Sequence, residues 1–477
     1  MFKTKQPNIL WITTDQQRWD TINYLGNPYI RTPNLDNLCK NGTAFTKAYC
    51  QNPICQPSRA SFMTGLYPSN LHVNRNGQAY FPYGRKVISK YFSENGYTCG
   101  LSGKLHLASA KGRVEQRCDD GFSYFKYCHS PMRNIGFGNE YIEWLQNKGL
   151  NLDDIFLRNE SGEYYTYNPN TPAKYHQTAW CVEMGIEFLK QQQNLYPWFL
   201  CVNIFAPHPP YAPPKSCYER FDIDKLPLPI YREGEEKEQE ELSKYIQHQT
   251  KIFKKPDMES KERLACYYGM IELIDDEIGK LFDYLESTNQ MEDTIIIFNS
   301  DHGDMMGDHC LIKKGCRFYE GAVRVPFIIR WDGMVKKGAV IDSPVELIDI
   351  APTIAGLTGI TAAFQKHGES LVPILTGQSF EREKKFVKCE YYEPGNPYGD
   401  YSSIETFATM HFDGQYKLIV YHGYEFGELF DLKNDPCELD NLWNNDDYAA
   451  IKNRLIKDAF DTAIKVSDQG PPVRESH

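Results

Sequence analysis

An α/β fold is what this sequence predicts, and three observations carry the prediction. Apolar runs of strand length, at residues 9–12, 198–205, 294–298 and 325–331, recur between stretches of helical texture. Leu264, Tyr267, Ile271, Ile274, Ile278, Leu281 and Leu285 fall at three- and four-residue intervals, the spacing of an amphipathic helix that feeds the strand at Thr294. Polar residues stand just past two strand ends, as Asp15-Gln16 and Ser300-Asp301-His302-Gly303. In open parallel sheets that edge is where ligands bind.

In chain order, the first strand, Asn8-Ile9-Leu10-Trp11-Ile12, follows Met1-Phe2-Lys3-Thr4-Lys5-Gln6-Pro7 with no apolar segment and no small-residue cleavage site before it. No secretory signal is therefore expected, and the cytosol is the expected compartment. Next comes Cys55-Gln56-Pro57-Ser58-Arg59, a cysteine ahead of a proline turn and a helix start. The insert 212–261 includes a charge run, 232–255, whose mixed signs read as a solvated helix or a mobile loop. After residue 378 the texture changes to a charge cluster at 381–388, a strand-like piece at 416–421, the turn Asn434-Asp435-Pro436 and a terminal helix from about Asp446. This predicts a smaller α+β domain over 379–477, packed on a main domain over 1–378. There is no internal repeat and no low-complexity tract.

Composition excludes several classes. With 477 residues, 41% hydrophobic and 24% charged, the chain can bury a large core and is too well mixed for a disordered protein. A net charge of −11 leaves no electrostatic surplus for a nucleic-acid backbone, so an anionic substrate needs a local cationic pocket. No apolar run approaches the roughly 18 residues of a membrane span. The 14 cysteines have no CxxC pairs, as expected of reduced thiols.

Asp15-Gln16 and Asp301-His302 offer hard oxygen and imidazole donors that suit a divalent cation such as Ca²⁺, Mg²⁺ or Mn²⁺. Each pair by itself also reads as a cap or turn. Cys55 ahead of a helix, with Arg59 one turn on, has the setting of a thiol of lowered pKa. Alone it reads more readily as a buried structural thiol, the commonest fate of a single cysteine. Trp19, Tyr80 and Tyr211 near these loops have rings on which a sugar stacks, or which pack in the core.

Cys55-x-Pro57-Ser58-Arg59 with residues 60–65 resembles the sulfatase signature, in which the cysteine is oxidised to formylglycine by a maturation enzyme. Gly96-Tyr97-Thr98-Cys99-Gly100-Leu101-Ser102-Gly103-Lys104-Leu105-His106 resembles the second sulfatase signature. Residues 8–15, Pro207-His208-Pro209-Pro210-Tyr211, the segment 301–326 and the ending 429–436 continue the likeness in family order. Asp15-Gln16 and Asp301-His302 look more like the branch of choline sulfatases and phosphonate monoester hydrolases than like sulfatases with paired aspartates and Asp-Asn.

The resemblance implies an alkaline-phosphatase-like fold, with a large, mostly parallel sheet between helices and a small C-terminal antiparallel sheet. It also implies roles. Asp15, Asp301 and His302, with the side chain derived from Cys55, would hold one divalent metal ion, and Gln16 is a possible further ligand. The metal is Ca²⁺ or, given the imidazole, Mn²⁺. Arg59 and Lys104 would orient the aldehyde hydrate and the sulfuryl oxygens, and His106 would take a proton from the second hydroxyl. His208 and Lys314 would contact the bridging oxygen, one of them as general acid, with Lys314 preferred to Lys313 on its spacing from Gly307-Asp308-His309. His309 is left between a substrate contact and an outer role. The expected activity is hydrolysis of a sulfate monoester of a carbohydrate or small molecule. Phosphonate monoester or phosphodiester hydrolysis is the alternative, and a non-catalytic scaffold the third reading.

Overall fold

A computed structural model of the chain describes residues 6–110, 114–132, 138–192, 196–246, 255–361, 367–394 and 405–467. The opening residues 1–5, part of the insert at 247–254 and the ending 468–477 lie outside them.

Strands β1 (Asn8–Asp15), β2 (Thr43–Tyr49), β3 (Thr98–Gly103) and β4 (Tyr124–Tyr127) come first. A short antiparallel hairpin follows, β5 (Phe156–Arg158) with β6 (Tyr164–Tyr167). Then come β7 (Trp198–Pro207), β8 (Thr294–Ser300), β9 (Arg324–Arg330), β10 (Ala339–Ile341) and β11 (Val345–Glu346). The large sheet runs β10-β2-β9-β8-β1-β7-β3-β4, with β11 also on β2. Its pairs are parallel except where β9 meets β2 and β8.

Every residue of β1, β7 and β8 is buried, which is why these strands read as continuous apolar runs rather than alternating ones. Successive side chains go to opposite faces. Ile9, Trp11, Phe199, Ile295 and Ile297 join one core, while Leu10, Ile12, Leu200, Ile296 and Phe298 join the other. The second core is closed by the helices Gln177–Gln191 and Met258–Ser287, the latter started by a capping box between Asp257 and Ser260. The first is closed by Cys55–Thr64 and Ile350–Thr358. In register, Thr13 lies opposite both Asn203 and Asn299, so the ends of β1, β7 and β8 open at one edge of the sheet.

A second sheet, β12 (Val387–Glu393), β13 (Thr406–Phe412), β14 (Tyr416–Tyr421) and β15 (Gly427–Asp431), is a four-stranded antiparallel meander. Its inner residues Val387, Cys389, Met410 and Phe430 belong to the same core as Ile9. The helix Ala449–Lys465 covers its other face, with Leu455 against Leu418 and Leu429. The charge run 232–255 is not solvated throughout: in its helix, Glu235–Leu242, Glu235 and Gln239 are buried against His309 and Arg317. Among the described residues no helix is long and apolar enough to cross a membrane.

His411 on β13 is 2% exposed, and its ring stacks on Phe386 at 5.1 Å. Burial keeps it neutral, lowering its pKa from 6.5 to about 4, with Lys384 adding to the effect and Asp458 and Asp413 opposing it. The unfolded ring takes up its proton at higher pH than the folded one. Stability present at neutral pH is therefore lost as pH falls from 6.5 towards 4, by roughly 3 kcal/mol when complete. The melting temperature of the wild type is expected to fall more steeply across that window than that of His411→Gln. Equal slopes would exclude His411 as a cause.

Candidate active site

The open edge of the large sheet gathers the chemically loaded residues. Asp15 ends β1, Lys104 follows β3, His208 follows β7, and Asp301 and His302 follow β8. Cys55 arrives differently, as the first residue of the wholly buried helix Cys55–Thr64. That helix starts where Ile54 is extended, carries Pro57 in its first turn, and stops at Gly65 in the left-handed region with φ 75°. Cys55, Ser58 and Arg59 share one face by helical spacing. Ser58 Oγ donates to the Asp301 carbonyl at 2.5 Å, and Arg59 Nε to Asp301 Oδ2 at 2.8 Å. These bonds fix the helix to the end of β8.

The Cys55 sulfur lies 3.2 Å from His302 Nε2 and 3.5 Å from Asp15 Oδ1, and accepts from Lys314 Nζ at 2.7 Å. Burial and Asp15 push the thiol pKa up, but Lys104, Lys314 and His302 outweigh them and lower it below 9.0. Burial also opposes ionisation of Asp15, yet Lys104, His208, Lys314 and Arg59 hold its carboxyl well below the usual carboxylate range. Lys104 Nζ donates to Asp15 Oδ2 at 2.5 Å. Arg59 Nη2 is buried without a hydrogen-bond partner, 3.8 Å from the same oxygen.

The donor set fits a divalent cation. One atom each of Asp15, Cys55, Asp301 and His302 lies within 4.8 Å of the others, and all four residues are buried. His302 Nδ1 meets the Gly303 carbonyl at 2.8 Å, an acceptor, so Nδ1 carries a proton and Nε2 faces the cluster. Gln16 belongs here too. Its backbone N–H donates to Asp301 Oδ1 at 3.0 Å, its Nε2 donates to Asp304, and its Oε1 is buried with no partner. A buried amide oxygen without a hydrogen-bond partner, on the residue that follows Asp15, has the chemistry of a cation ligand.

His106 and His208 flank this cluster. Burial, with Lys104, His129 and Arg59, holds His106 well below 6.5, leaving a neutral ring able to accept a proton. Its Nδ1 is buried without a hydrogen-bond partner, and its ring stands edge-on to His129 at 4.4 Å. His208 is likewise held well below 6.5 by burial and by Lys314, and its Nδ1 meets the Pro209 carbonyl at 2.7 Å. Of the two adjacent lysines it is Lys314 whose ammonium reaches the sulfur. His309 turns away, with Nδ1 at 2.6 Å from Glu235 Oε1 and its ring stacked on Tyr319 at 3.8 Å. Trp19 lies under the Arg324 guanidinium at 3.6 Å, Tyr211 bonds Asp304, and Tyr80 is exposed against Tyr83.

Two buried acids beside the site escaped the sequence reading. Glu115 accepts the N–H of His106 at 2.6 Å and of Leu107 at 2.9 Å, clamping a loop in which His106 has φ 58°. Burial pushes its carboxyl up to about 7 against those bonds. No motif marks it, because it lies beyond the end of the second signature and bonds the backbone N–H groups of His106 and Leu107 rather than their side chains. Asp304 sits within the matched stretch 301–326, but nothing in sequence says that four donors converge on it. Glu115→Ala orphans two buried N–H groups, each costing about 1–3 kcal/mol. A lower melting temperature and a reduced kcat are expected together; an unchanged kcat would mean that the clamp does not set His106.

The family model described as Sulfatase matches residues 7–360, and the model for the C-terminal part of N-sulphoglucosamine sulphohydrolase matches residues 307–465. An arylsulfatase of Clostridium perfringens is 32% identical over 468 residues, covering 95% of this chain and 94% of its own. A choline-sulfatase of Rhizobium meliloti is 29% identical over 457 residues, covering 93% and 83%. The crystal structure of the phosphonate monoester hydrolase of Agrobacterium radiobacter matches with TM-score 0.83 and 26% identity over 97% of each chain.

Proposed function

The chain belongs to the sulfatase family, and on that premise we propose that it hydrolyses a sulfate monoester of a carbohydrate or small organic molecule with a nucleophile made from Cys55. The observation that carries this is the Cys55 sulfur, held 2.7 Å from Lys314 Nζ and 3.2 Å from His302 Nε2 at the mouth of the sheet. Formylglycine made from Cys55 by a maturation enzyme supplies, as its hydrate, one hydroxyl for attack on sulfur and a second whose deprotonation releases sulfate. Asp15, Asp301 and His302, with the side chain derived from Cys55 and with Gln16 as a further ligand, would hold one divalent cation, which would supply charge neutralisation and favour loss of the attacking hydroxyl's proton. The imidazole in the set favours Mn²⁺ over Ca²⁺.

The remaining residues divide the charge and proton work. Arg59, with Nη2 unpartnered, and Lys104 face the anionic sulfuryl oxygens. Neutral His106 accepts the proton of the second hydroxyl; Lys314 and His208 contact the leaving oxygen, and Lys314, held charged beside Cys55 and Asp15, is the better placed of the two to protonate it. Residues 1–378 form the catalytic part in this reading and 379–477 a C-terminal subdomain, supported by the separate sheet that begins at Val387. The 14 free cysteines support a reducing compartment, the cytosol.

The test is chemical. In protein purified from its native host, the peptide containing Cys55 is expected to carry an aldehyde, and the metal-loaded enzyme to release sulfate from sulfated sugars or small esters. An unmodified thiol in active enzyme overturns the mechanism. A second reading, phosphonate monoester or phosphodiester hydrolysis, is favoured by the Gln16 and His302 pair and by the likeness to the Agrobacterium radiobacter enzyme. Strong phosphonate turnover without sulfate turnover would put it first.

A further inference from the structure

Donors from three stretches of chain converge on Asp304, a fully buried residue with no part in the chemistry above. Its Oδ2 accepts from Gln16 Nε2 and from the Tyr211 hydroxyl, the latter at 2.6 Å. Its Oδ1 accepts from the backbone N–H groups of Met306 and Lys313, both at 2.9 Å. Gln16 follows β1, Tyr211 belongs to the loop that carries His208, and Lys313 precedes Lys314. Arg18 Nη1 adds a bond to the Asp304 carbonyl at 2.9 Å.

A glutamine amide has a donor end and an acceptor end of nearly equal size. Turned by half a rotation, Gln16 would aim two N–H groups at a cation and lose a ligand. A carboxylate only accepts, so it bonds the nitrogen end and leaves the oxygen free for another partner. That is the arrangement seen, with Nε2 on Asp304 and Oε1 buried and unpartnered. We propose that Asp304 is a positioning residue that locks the Gln16 amide with its oxygen towards the cation site, and that Tyr211, on the same carboxylate oxygen, ties the His208 loop to that lock. The proposal rests on the reading of Asp15, Gln16, Asp301 and His302 as cation ligands.

The experiment is Mn²⁺ binding by competition with a chromophoric chelator, with the melting temperature of each metal-free protein measured alongside. Asp304→Asn, whose oxygen stays with the Met306 and Lys313 N–H groups and whose NH2 then favours the turned-over Gln16 amide, is expected to weaken Mn²⁺ binding by about 10–100-fold. Gln16→Ala should cost as much, and Tyr211→Phe less. The double variant Gln16→Glu with Asp304→Asn reverses the polarity of the contact. The new amide at position 304 then donates to one oxygen of the new carboxylate at position 16 and the other oxygen faces the cation, while the Tyr211 hydroxyl can turn to fit. Its Mn²⁺ affinity should return towards that of the wild type, which a merely structural role for Asp304 would not produce.

Wild-type affinity in Asp304→Asn, with Gln16→Ala weakened, overturns the proposal and leaves the cation reading intact. Unchanged affinity in Gln16→Ala overturns both the proposal and Gln16 as a ligand. Sulfate-ester turnover by wild type that binds no Mn²⁺ or Ca²⁺ overturns the cation reading itself. Should Asp304→Asn fail to fold, Tyr211→Phe and the double variant carry the test, and affinity unchanged in the first and unrestored in the second counts against the proposal.

Discussion

Cys55→Ala is expected to abolish ester hydrolysis, by on the order of 10⁴-fold or more in kcat/KM, while barely moving the melting temperature. The two halves of that result have separate causes. The sulfur is the only atom of the residue engaged with the cluster, through Asp15, His302 and Lys314. The helix that presents it is held by other bonds: Ser58 and Arg59 to Asp301, and the Gln56 N–H to Asn76 Oδ1 at 2.9 Å. In the proposed mechanism, removing the sulfur therefore removes the nucleophile's precursor without releasing the scaffold. The measurement is steady-state hydrolysis of an aryl sulfate with thermal unfolding on the same preparations. Residual activity within ten-fold of wild type would mean that some other group attacks sulfur.

The central strands could be read from sequence because both of their faces are buried. β1, β7 and β8 have no solvent face, so nothing interrupts their apolar runs. Strand direction is not written in such a run. Residues 325–331 look like their neighbours, yet β9 runs antiparallel to both β2 and β8. β3 was hidden for another reason. It carries Gly100, where an added Cβ would meet the Phe188 ring at 2.8 Å, so the glycine that allows helix and strand to approach also erases the strand's sequence signal.

The site was legible as a set of positions and much less as a set of partnerships. Asp15, Cys55, Arg59, Lys104, Asp301, His302 and Lys314 stand in motifs, and the fold brings them into contact. Glu115, Asp304 and Glu235 act through backbone groups or across loops far apart in sequence, and a carboxylate's value as an acceptor depends on which donors the fold delivers to it. The motif spacing could name Lys314. That its ammonium sits on the Cys55 sulfur is a fact of packing.

That position makes Lys314→Ala the sharper of the two large mutational tests, because it separates two kinds of help. Lys314 Nζ lies 2.7 Å from the Cys55 sulfur and 3.1 Å from His302 Nε2, close enough to serve either the leaving oxygen or the sulfuryl oxygens. A general acid matters most when the leaving group is a poor one. On alkyl or sugar sulfates, whose alkoxides need a proton, the variant is expected to lose about 10²–10⁴-fold in kcat/KM. On an aryl sulfate with an acidic phenol the loss should be far smaller, so the dependence of rate on leaving-group pKa steepens relative to wild type. His208→Ala supplies the comparison, since its ring is the other candidate for that proton. If Lys314→Ala slows every ester equally while His208→Ala steepens the dependence, Lys314 neutralises the sulfuryl oxygens and His208 is the acid.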